Sequence, residues 1–346
     1  MIFNPFRAKK ETSLGVDIGT SSIKIVELQK KGGGIELSNY AEYSSGEGSA
    51  IHSSSVRLLS SQAADIIKQL TREAHLEVRE ATMSIPMFSG FSTVITMPGM
   101  SDAELAQAVQ YEAKKYIPLP LSEVQFEWTK LGNSDKAVRL LIVAVTNELI
   151  NKYHEIAKLS GLTLKYLELE SFSVARALTN SKQGAVSGAS SLIIDIGSRS
   201  STLTVVEGAW PVFSRSMDVS GLEFSKIISS SLGIDFARAE DLKKIDGIKV
   251  GDGVLMPLID SVLQEARRIS DNYTKIRKLS IGEVILSGGS SSMPGFLNYV
   301  VKVLGRQTKI GDPFRDIIYP EQLRAVLKRM SPSFSVATGL ALREFK

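Results

Sequence analysis

Two stretches of this 346-residue chain carry the same chemical pattern. One is GVDIGTSSIKIVEL, residues 15–28, and the other is LIIDIGSRSSTLTVVEG, residues 192–208. Laid over each other on Asp17 and Asp195 they align without a gap. They share Asp, Ile, Gly and the serine three places after the glycine, Ser22 and Ser200. A glycine lets the chain turn tightly and bring backbone N–H groups against a bulky ligand. Successive N–H groups in such a turn make a concave anion site, to which Thr20, Ser21 and Ser22 add hydroxyl donors. A bare carboxylate beside that site repels phosphate, so Asp17 and Asp195 make sense with a cation between. Mg2+ fits, because it binds one or two carboxylates plus phosphates and keeps several waters. One Asp-x-Gly turn is a common string. Two related hairpins facing each other across a cleft can grip one polyphosphate from both sides. The chain holds neither a P-loop string nor a Gly-x-Gly-x-x-Gly fingerprint.

A third element is LSGGSSSMPG, residues 286–295, where a strand runs into Ser287, Gly288 and Gly289 and a helix starts soon after. The glycines let a flat group such as a purine lie against the main chain; the string also suits an ordinary strand–helix turn. Lys24, on the return strand of the first hairpin, either neutralises phosphate or points to solvent, the commoner fate of a lysine.

The elements that must position these residues follow from pattern and length. Hydrophobic content of 43% and charged content of 23% are globular values, and the length suggests two domains. In the first half, apolar–polar alternation gives strand, turn and strand over 14–28, a third strand after Gly32–Gly34, a loop over 44–56, a helix over 60–76 and a strand over 80–86. Residues 87–160 break that order. They read as a strand ending at Pro98-Gly99, a helix opened by a Ser101/Glu104 capping box and stopped by Pro118 and Pro120, two strands around a GNSD turn, and a helix ending at Gly161. We expect this block to be a small α+β subdomain inserted into the first domain. A strand and helix over 164–178 close the first half, and the Gly/Ser-rich 181–190 is the candidate boundary. The second half repeats the hairpin. It continues with a strand at WPVFSRSMDVS, short helices, a long helix with Pro257 near its start, and a final strand, turn and helix in which Pro294 suits a first helical turn and Gly305 the end.

Composition removes other chemistries. The chain has no cysteine, which excludes disulfides, thiolate metal sites and cysteine nucleophiles. Its three histidines, His52, His75 and His154, lie far apart and show no ligand spacing; His154 reads as a partly exposed helical residue. A net charge of +4 with no block of like charges and no aromatic-interleaved basic patch gives no reason to expect nucleic acid. No run of about 18 apolar residues is present to span a membrane. The start, MIFNPFRAKK, lacks the apolar core of a secretory signal; it reads as a frayed tail or as a small amphipathic foot for a membrane or partner.

These strings resemble the motifs of the actin-like ATPases, the superfamily of actin, sugar kinases, heat-shock chaperone ATPase domains and the division protein FtsA. Residues 15–28 resemble its first phosphate motif, 193–206 its second and 285–295 its adenosine motif. ARAEDLKK resembles a ribose-holding string and nominates Glu240 and Lys243, and VATGLALREF resembles the last crossing helix, with Gly339 at its close contact. More narrowly, FNPF, the block SIPMFSGFSTVITMPGMSDAELAQAVQYEAKKYIP and LELESFSVARAL are similar to the PilM family of type IV pilus assembly proteins. The resemblance implies an α/β, actin-like ATPase fold of two ribonuclease-H-like domains with an FtsA-like inserted α+β subdomain. Domain I would cover 1–185, with the insert at about 87–160 and the C-terminal helix 335–346 returning to it. Domain II would cover 186–334, with a nucleotide-capping helical and strand subdomain at about 220–280.

The same resemblance implies ATP or ADP with Mg2+ held by Asp17 and Asp195, and nucleotide contacts from Gly19, Thr20, Ser21, Ser22, Lys24, Gly197, Ser198, Ser200, Glu240, Lys243, Gly288, Gly289 and Ser290. Glu170 is the candidate for orienting an attacking water; it also suits a helix N-terminus, where an acid complements the dipole. The family implies a nucleotide binder with weak or no turnover at the cytoplasmic face of the inner membrane. Its partners would be the cytoplasmic N-terminal peptide of PilN, the PilN/PilO complex and the pilus motor ATPases. For the peptide, segments 87–97 and 137–145 are the expected hosts, flanked by Lys114, Lys115 and Arg139 unless these are merely solvated charges. Two alternatives stand beside this scaffold reading: a self-associating filament former like FtsA or MreB, and a small-molecule kinase of the same fold.

Overall fold

The computed structural model describes residues 11–44, 56–134, 137–179 and 190–345. The N-terminal tail, most of the 44–56 loop and the 181–190 boundary fall outside those residues. Among the described residues the chain builds the same sheet twice. The first has the order β3-β2-β1-β4-β8, from β1 (Thr12–Ile18), β2 (Ser22–Lys31), β3 (Gly34–Ser44), β4 (Glu80–Ile85) and β8 (Thr163–Leu169). The second has the order β11-β10-β9-β12-β13, from β9 (Ser190–Ile196), β10 (Ser201–Glu207), β11 (Trp210–Met217), β12 (Ile281–Ser287) and β13 (Gln307–Ile310). In each, three strands pair antiparallel and two more add in parallel. The repeated strings occupy equivalent places. Ile18 pairs with Ile23 and Ile196 with Ser201, so each hairpin closes over a four-residue turn that begins with the glycine of its Asp-Ile-Gly.

Helices cover both faces of each sheet. On the first, α1 (Val56–Glu73) and α3 (Asn147–Ser160) share a core with β1, β2 and β4 through Ile67, Tyr153, Ile156, Val16 and Met83. On the second, α5 (Gly221–Leu232), α6 (Phe236–Asp246), α7 (Met256–Arg277) and α8 (Phe296–Leu304) bury Phe224, Ala239, Leu263 and Phe296 against Ile194, Leu203 and Leu286. Residues 220–280 thus hold helices and no strand among the described residues, contrary to the helical-and-strand expectation. The link between α6 and α7 is a 3-10 turn with Gly251 and Asp252 at φ 52° and 55°. Pro294 falls short of α8; Gly295, at φ 80°, is the cap. Pro294 instead packs on Gly247, whose added Cβ would lie 2.2 Å from the Pro294 carbonyl oxygen.

Between β4 and α3 a third sheet, of order β5-β7-β6, is set into the first domain: β5 (Gly90–Pro98), β6 (Val124–Ser134) and β7 (Ala137–Thr146). One helix, α2 (Asp102–Ala113), covers it, with Leu105, Val109 and Ala113 packed on Ile95, Leu140 and Ile142. The Ser101/Glu104 capping box opens α2 in both directions, and Gly161 closes α3 in the left-handed conformation at φ 77°. The three-stranded unit runs over 90–146. The helix α3, grouped with the insert on the strand order alone, packs on α1; its apolar stripe says that it is buried, but not beneath which sheet.

Two helices join the halves. After β13 the chain passes through α9 (Arg324–Met330) to α10 (Ser335–Ala341), whose Ala337 and Ala341 pack on Val26 and Leu28 of the first sheet. The other joining helix, α4 (Glu170–Leu178), packs Val174 and Leu178 on Ile193 and Ile285 of the second. They cross with backbones in contact: a Cβ on Gly339 would sit 1.9 Å from the Ser173 carbonyl oxygen. Replacing Gly339 by Ala should destabilise the fold by about 1–3 kcal/mol or more, the usual cost of overpacking. Chemical denaturation checks this, and an unchanged midpoint would contradict the crossing.

Candidate functional site

Asp17 and Asp195 end equivalent strands, and the two sheets turn those ends toward one cleft. Asp17 accepts a hydrogen bond from Ser84 Oγ at 2.8 Å, on the neighbouring parallel strand. Asp195 accepts one from Ser287, the corresponding residue of the second sheet. Burial raises the Asp17 carboxyl against the opposing pull of Lys24 and Ser84. Asp195 is pushed up to about 6, by burial and by the charge of Asp17, against the bond from Ser287. Each hairpin places a polar residue directly across from its aspartate, Lys24 in the first and Thr202 in the second. Lys24 does not point to solvent. It is buried, donates to Ser22 Oγ, and lies 3.3 Å from Glu42.

Glu170 joins the same cleft from the first turn of α4. Its carboxyl is pushed up to about 8, by burial first and then by the charges of Asp195 and Asp17, although it accepts bonds from Met87 N at 3.1 Å and from Thr202. Tyr153 of α3 lies beneath, where burial and the charges of Asp17 and Glu170 raise its hydroxyl. Ser84, Thr202 and Tyr153 escaped the sequence reading, and Ser287 entered it only as the lead-in to the glycine turn. Thr202 alone was within its reach, because hairpin register puts it opposite Asp195.

The remaining candidates gather on the second-domain side. In the Gly197 turn, Gly197 N donates to Ser200 O at 3.0 Å, while the carbonyls of Gly197 and Ser198 accept from Gly221 N and Leu222 N at 2.9 Å. The turn is thereby fixed to the start of α5. Lys243 is buried, and its ammonium donates to Gly221 O, Ser225 Oγ and Glu240 at 2.9, 2.7 and 2.5 Å. Ser290 closes the same corner: a Cβ on Gly221 would meet its Oγ at 2.5 Å. Gly288, at φ 82°, presses on Ile196, with room for no Cβ, while Gly289 is exposed beside open space. Asp195, Gly197, Ser198, Ser200, Glu240, Lys243, Gly288, Gly289 and Ser290 therefore form one connected corner. Asp17, Gly19, Thr20, Ser21, Ser22 and Lys24 form the opposite hairpin. Among the described residues no group of three or more metal-ligating side chains occurs.

A second concavity, of about 660 Å³, lies between the inserted sheet and the first domain. Trp128 of β6, Val143 and Val145 of β7, Tyr166 of β8, Phe172 of α4 and Trp210 of β11 supply its apolar and aromatic walls. Of its charged residues, the buried Glu168 accepts from the two terminal guanidinium nitrogens of Arg176 at 2.8 Å and takes a further bond from Arg343, which stacks on Tyr166. Of the two expected host segments, 137–145 reaches this groove and 87–97 does not. None of the expected flanking cations lines it. Lys115 pairs with Glu112 and Lys114 covers the ring of Tyr111, both around α2, and Arg139 binds Glu207 of the second domain.

Comparison with known proteins decides the lineage. The family model described as type IV pilus assembly protein PilM matches residues 15–345. The chain belongs to the PilM family. A solved PilM-PilN type IV pilus biogenesis complex is similar at 26% identity and a TM-score of 0.83, over 96% of this chain and 98% of that one. The ethanolamine utilization protein EutJ of Carboxydothermus hydrogenoformans matches at 17% identity and TM-score 0.59, over 99% and 92% of the two chains. MreB5 of Spiroplasma citri bound to AMPPNP matches at 14% and 0.50, over 95% and 94%. The doubled sheet is therefore an actin-like fold, and the chain is an actin-like protein of type IV pilus assembly.

The raised carboxyl of Glu170 has a consequence for stability. A carboxyl raised from 4.5 to about 8 on folding binds more protons folded than unfolded across that window. Its contribution is therefore fully present below 4.5 and is lost as pH rises through about 8. Glu170→Gln should flatten the decline in melting temperature of the ligand-free protein across this range. Melting curves of both proteins that run parallel would contradict it.

Proposed function

We propose that this chain binds a magnesium nucleoside triphosphate between its two hairpins and holds a PilN-type N-terminal peptide in the groove beside the inserted sheet. The observation that carries the reading is the placement of Asp17 and Asp195 at equivalent strand positions beside the two turns, within range of each other's charge. The residues present suit the group. Two buried carboxylates, one of them raised by the charge of the other, are relieved by a divalent cation, and Mg2+ takes its other oxygens from phosphate and water. Gly19, Thr20, Ser21, Ser22, Gly197, Ser198 and Ser200 would hold the phosphates, with Lys24 beside Ser22. Gly288, Gly289 and Ser290 would back the base, and the Glu240–Lys243 pair would lie against the ribose. The bound metal would supply charge neutralisation between phosphate and the two aspartates.

Glu170 lies in the same cleft, its carboxyl pushed up to about 8 by burial and by the charges of Asp195 and Asp17, and is the candidate for orienting a water. On this reading the protein acts as a nucleotide-set scaffold. ATP favours one arrangement of the halves only by binding it better than the other. PilN is the partner in the similar solved complex, and a groove of two tryptophans, a tyrosine and a phenylalanine suits a short apolar peptide. Among the described residues no helix is long and apolar enough to cross a membrane. On this reading the partner peptide holds the protein at the inner face of the membrane, beside PilN and PilO.

Asp17→Asn and Asp195→Asn should each weaken Mg2+-dependent AMPPNP binding about 10-fold or more, if each loses a charge-assisted contact of about 1.5–3 kcal/mol. Unchanged affinity by calorimetry would overturn the nucleotide reading. Trp128→Ala should weaken a PilN N-terminal peptide by a comparable factor while leaving AMPPNP affinity intact. Equal peptide affinity in the variant would place the peptide elsewhere.

A further inference from the structure

Glu207 ties together three parts of the molecule that share no sequence neighbourhood. It is the last residue of β10, and its carboxylate takes both guanidinium nitrogens of Arg139, at 2.7 and 3.2 Å, from β7 of the inserted sheet. From the end of α7 it also accepts from Arg277 Nε at 3.1 Å and from the Tyr273 hydroxyl at 3.0 Å, which Ser190 of β9 supports. The two arginines and the carboxylate are largely shielded, with side chains 20%, 31% and 16% exposed, so the bridge is worth more than a surface pair. Arg139 thus clasps the insert onto the second domain through one residue.

The position of Glu207 along the strand gives this clasp a role. At the other end of β10, Thr202 bonds Glu170 and pairs with Asp195 in the cleft, about 17 Å away at the rise of a strand. Beyond Glu207 a two-residue turn, with Gly208 at φ 62°, leads to Trp210, which pairs across from Glu207 and lines the groove. Cleft, clasp and groove wall therefore succeed one another on a single hairpin. We propose that the Arg139–Glu207 pair is a positioning contact that transmits occupancy between the cleft and the groove. The insert carries the other groove wall on Trp128, Val143 and Val145, and Arg139 is on the same strand as the two valines. A rotation of the second domain that moves β10 would then move both walls together. With the clasp cut, the β10–β11 hairpin and the insert move independently, and the groove no longer reads the cleft.

The inference rests on the nucleotide-and-peptide reading above, and the experiment separates the two. Affinity for a synthetic PilN N-terminal peptide is measured with and without magnesium AMPPNP, for the full chain and for Arg139→Met, which keeps the arginine stem's bulk and leaves the Glu207–Arg277–Tyr273 contacts in place. Nucleotide should change peptide affinity about 5-fold or more in the parent and less than about 2-fold in Arg139→Met, with peptide affinity in the absence of nucleotide alike in both. Glu207→Gln, near in shape and lacking the charge, should also lose the nucleotide effect. A nucleotide effect of equal size in the parent and both variants overturns the clasp while leaving the functional reading intact, and so does a parent that binds both ligands without any mutual effect. A parent that binds neither ligand overturns the functional reading and the inference with it.

Discussion

Two carboxylates of like charge are held in one cleft by two copies of the same hairpin, and much of the molecule serves to keep them there. Asp17 and Asp195 each lose solvent, and Asp195 also feels the charge of Asp17. Such an arrangement is unfavourable in isolation. It persists because each aspartate ends a central strand of a five-stranded sheet and is bonded by a serine from the adjacent parallel strand. Repulsion of this kind is what a divalent cation and a polyphosphate relieve, so the constraint that looks costly in isolation is the one the proposed ligand uses.

The relation between the two sheets is set by close backbone contact. Gly339 lies against Ser173 where the two joining helices cross, and Gly15 admits α10 so closely that a Cβ there would lie 2.2 Å from the Ala337 carbonyl oxygen. Contacts of that kind leave little freedom to slide. Farther out the halves meet at a charged contact, Glu207 with Arg139. The inserted sheet touches both halves and walls the groove, which places it where a change in the cleft is felt.

Much of this was legible in the sequence for a definite reason. The gapless match of Asp17 with Asp195 reported a doubled hairpin because hairpin register is local, and the doubled sheet order follows from it. Capping residues were equally plain: Ser101 with Glu104, and Gly161. Properties set by distant parts of the chain were not. Whether α3 covers the first sheet or the insert depends on α1. The freedom of Lys24 depends on Glu42 from β3, and that of Arg139 on Glu207 of the other domain. The groove was half seen. Strand β7 was nominated, but its partners Tyr166, Phe172 and Trp210 arrive from three other elements. Glu170 was legible as a candidate, while its raised proton affinity comes from burial that no local string reports.

The most direct measurement is a crystal structure of the protein grown with AMPPNP and Mn2+, using the anomalous signal of manganese to place the metal. The account predicts one metal peak in the space between the carboxylates of Asp17 and Asp195, with phosphate density touching the turns at Gly19 and Gly197. Nucleotide density on one hairpin alone, or a metal bound away from both aspartates, would contradict it.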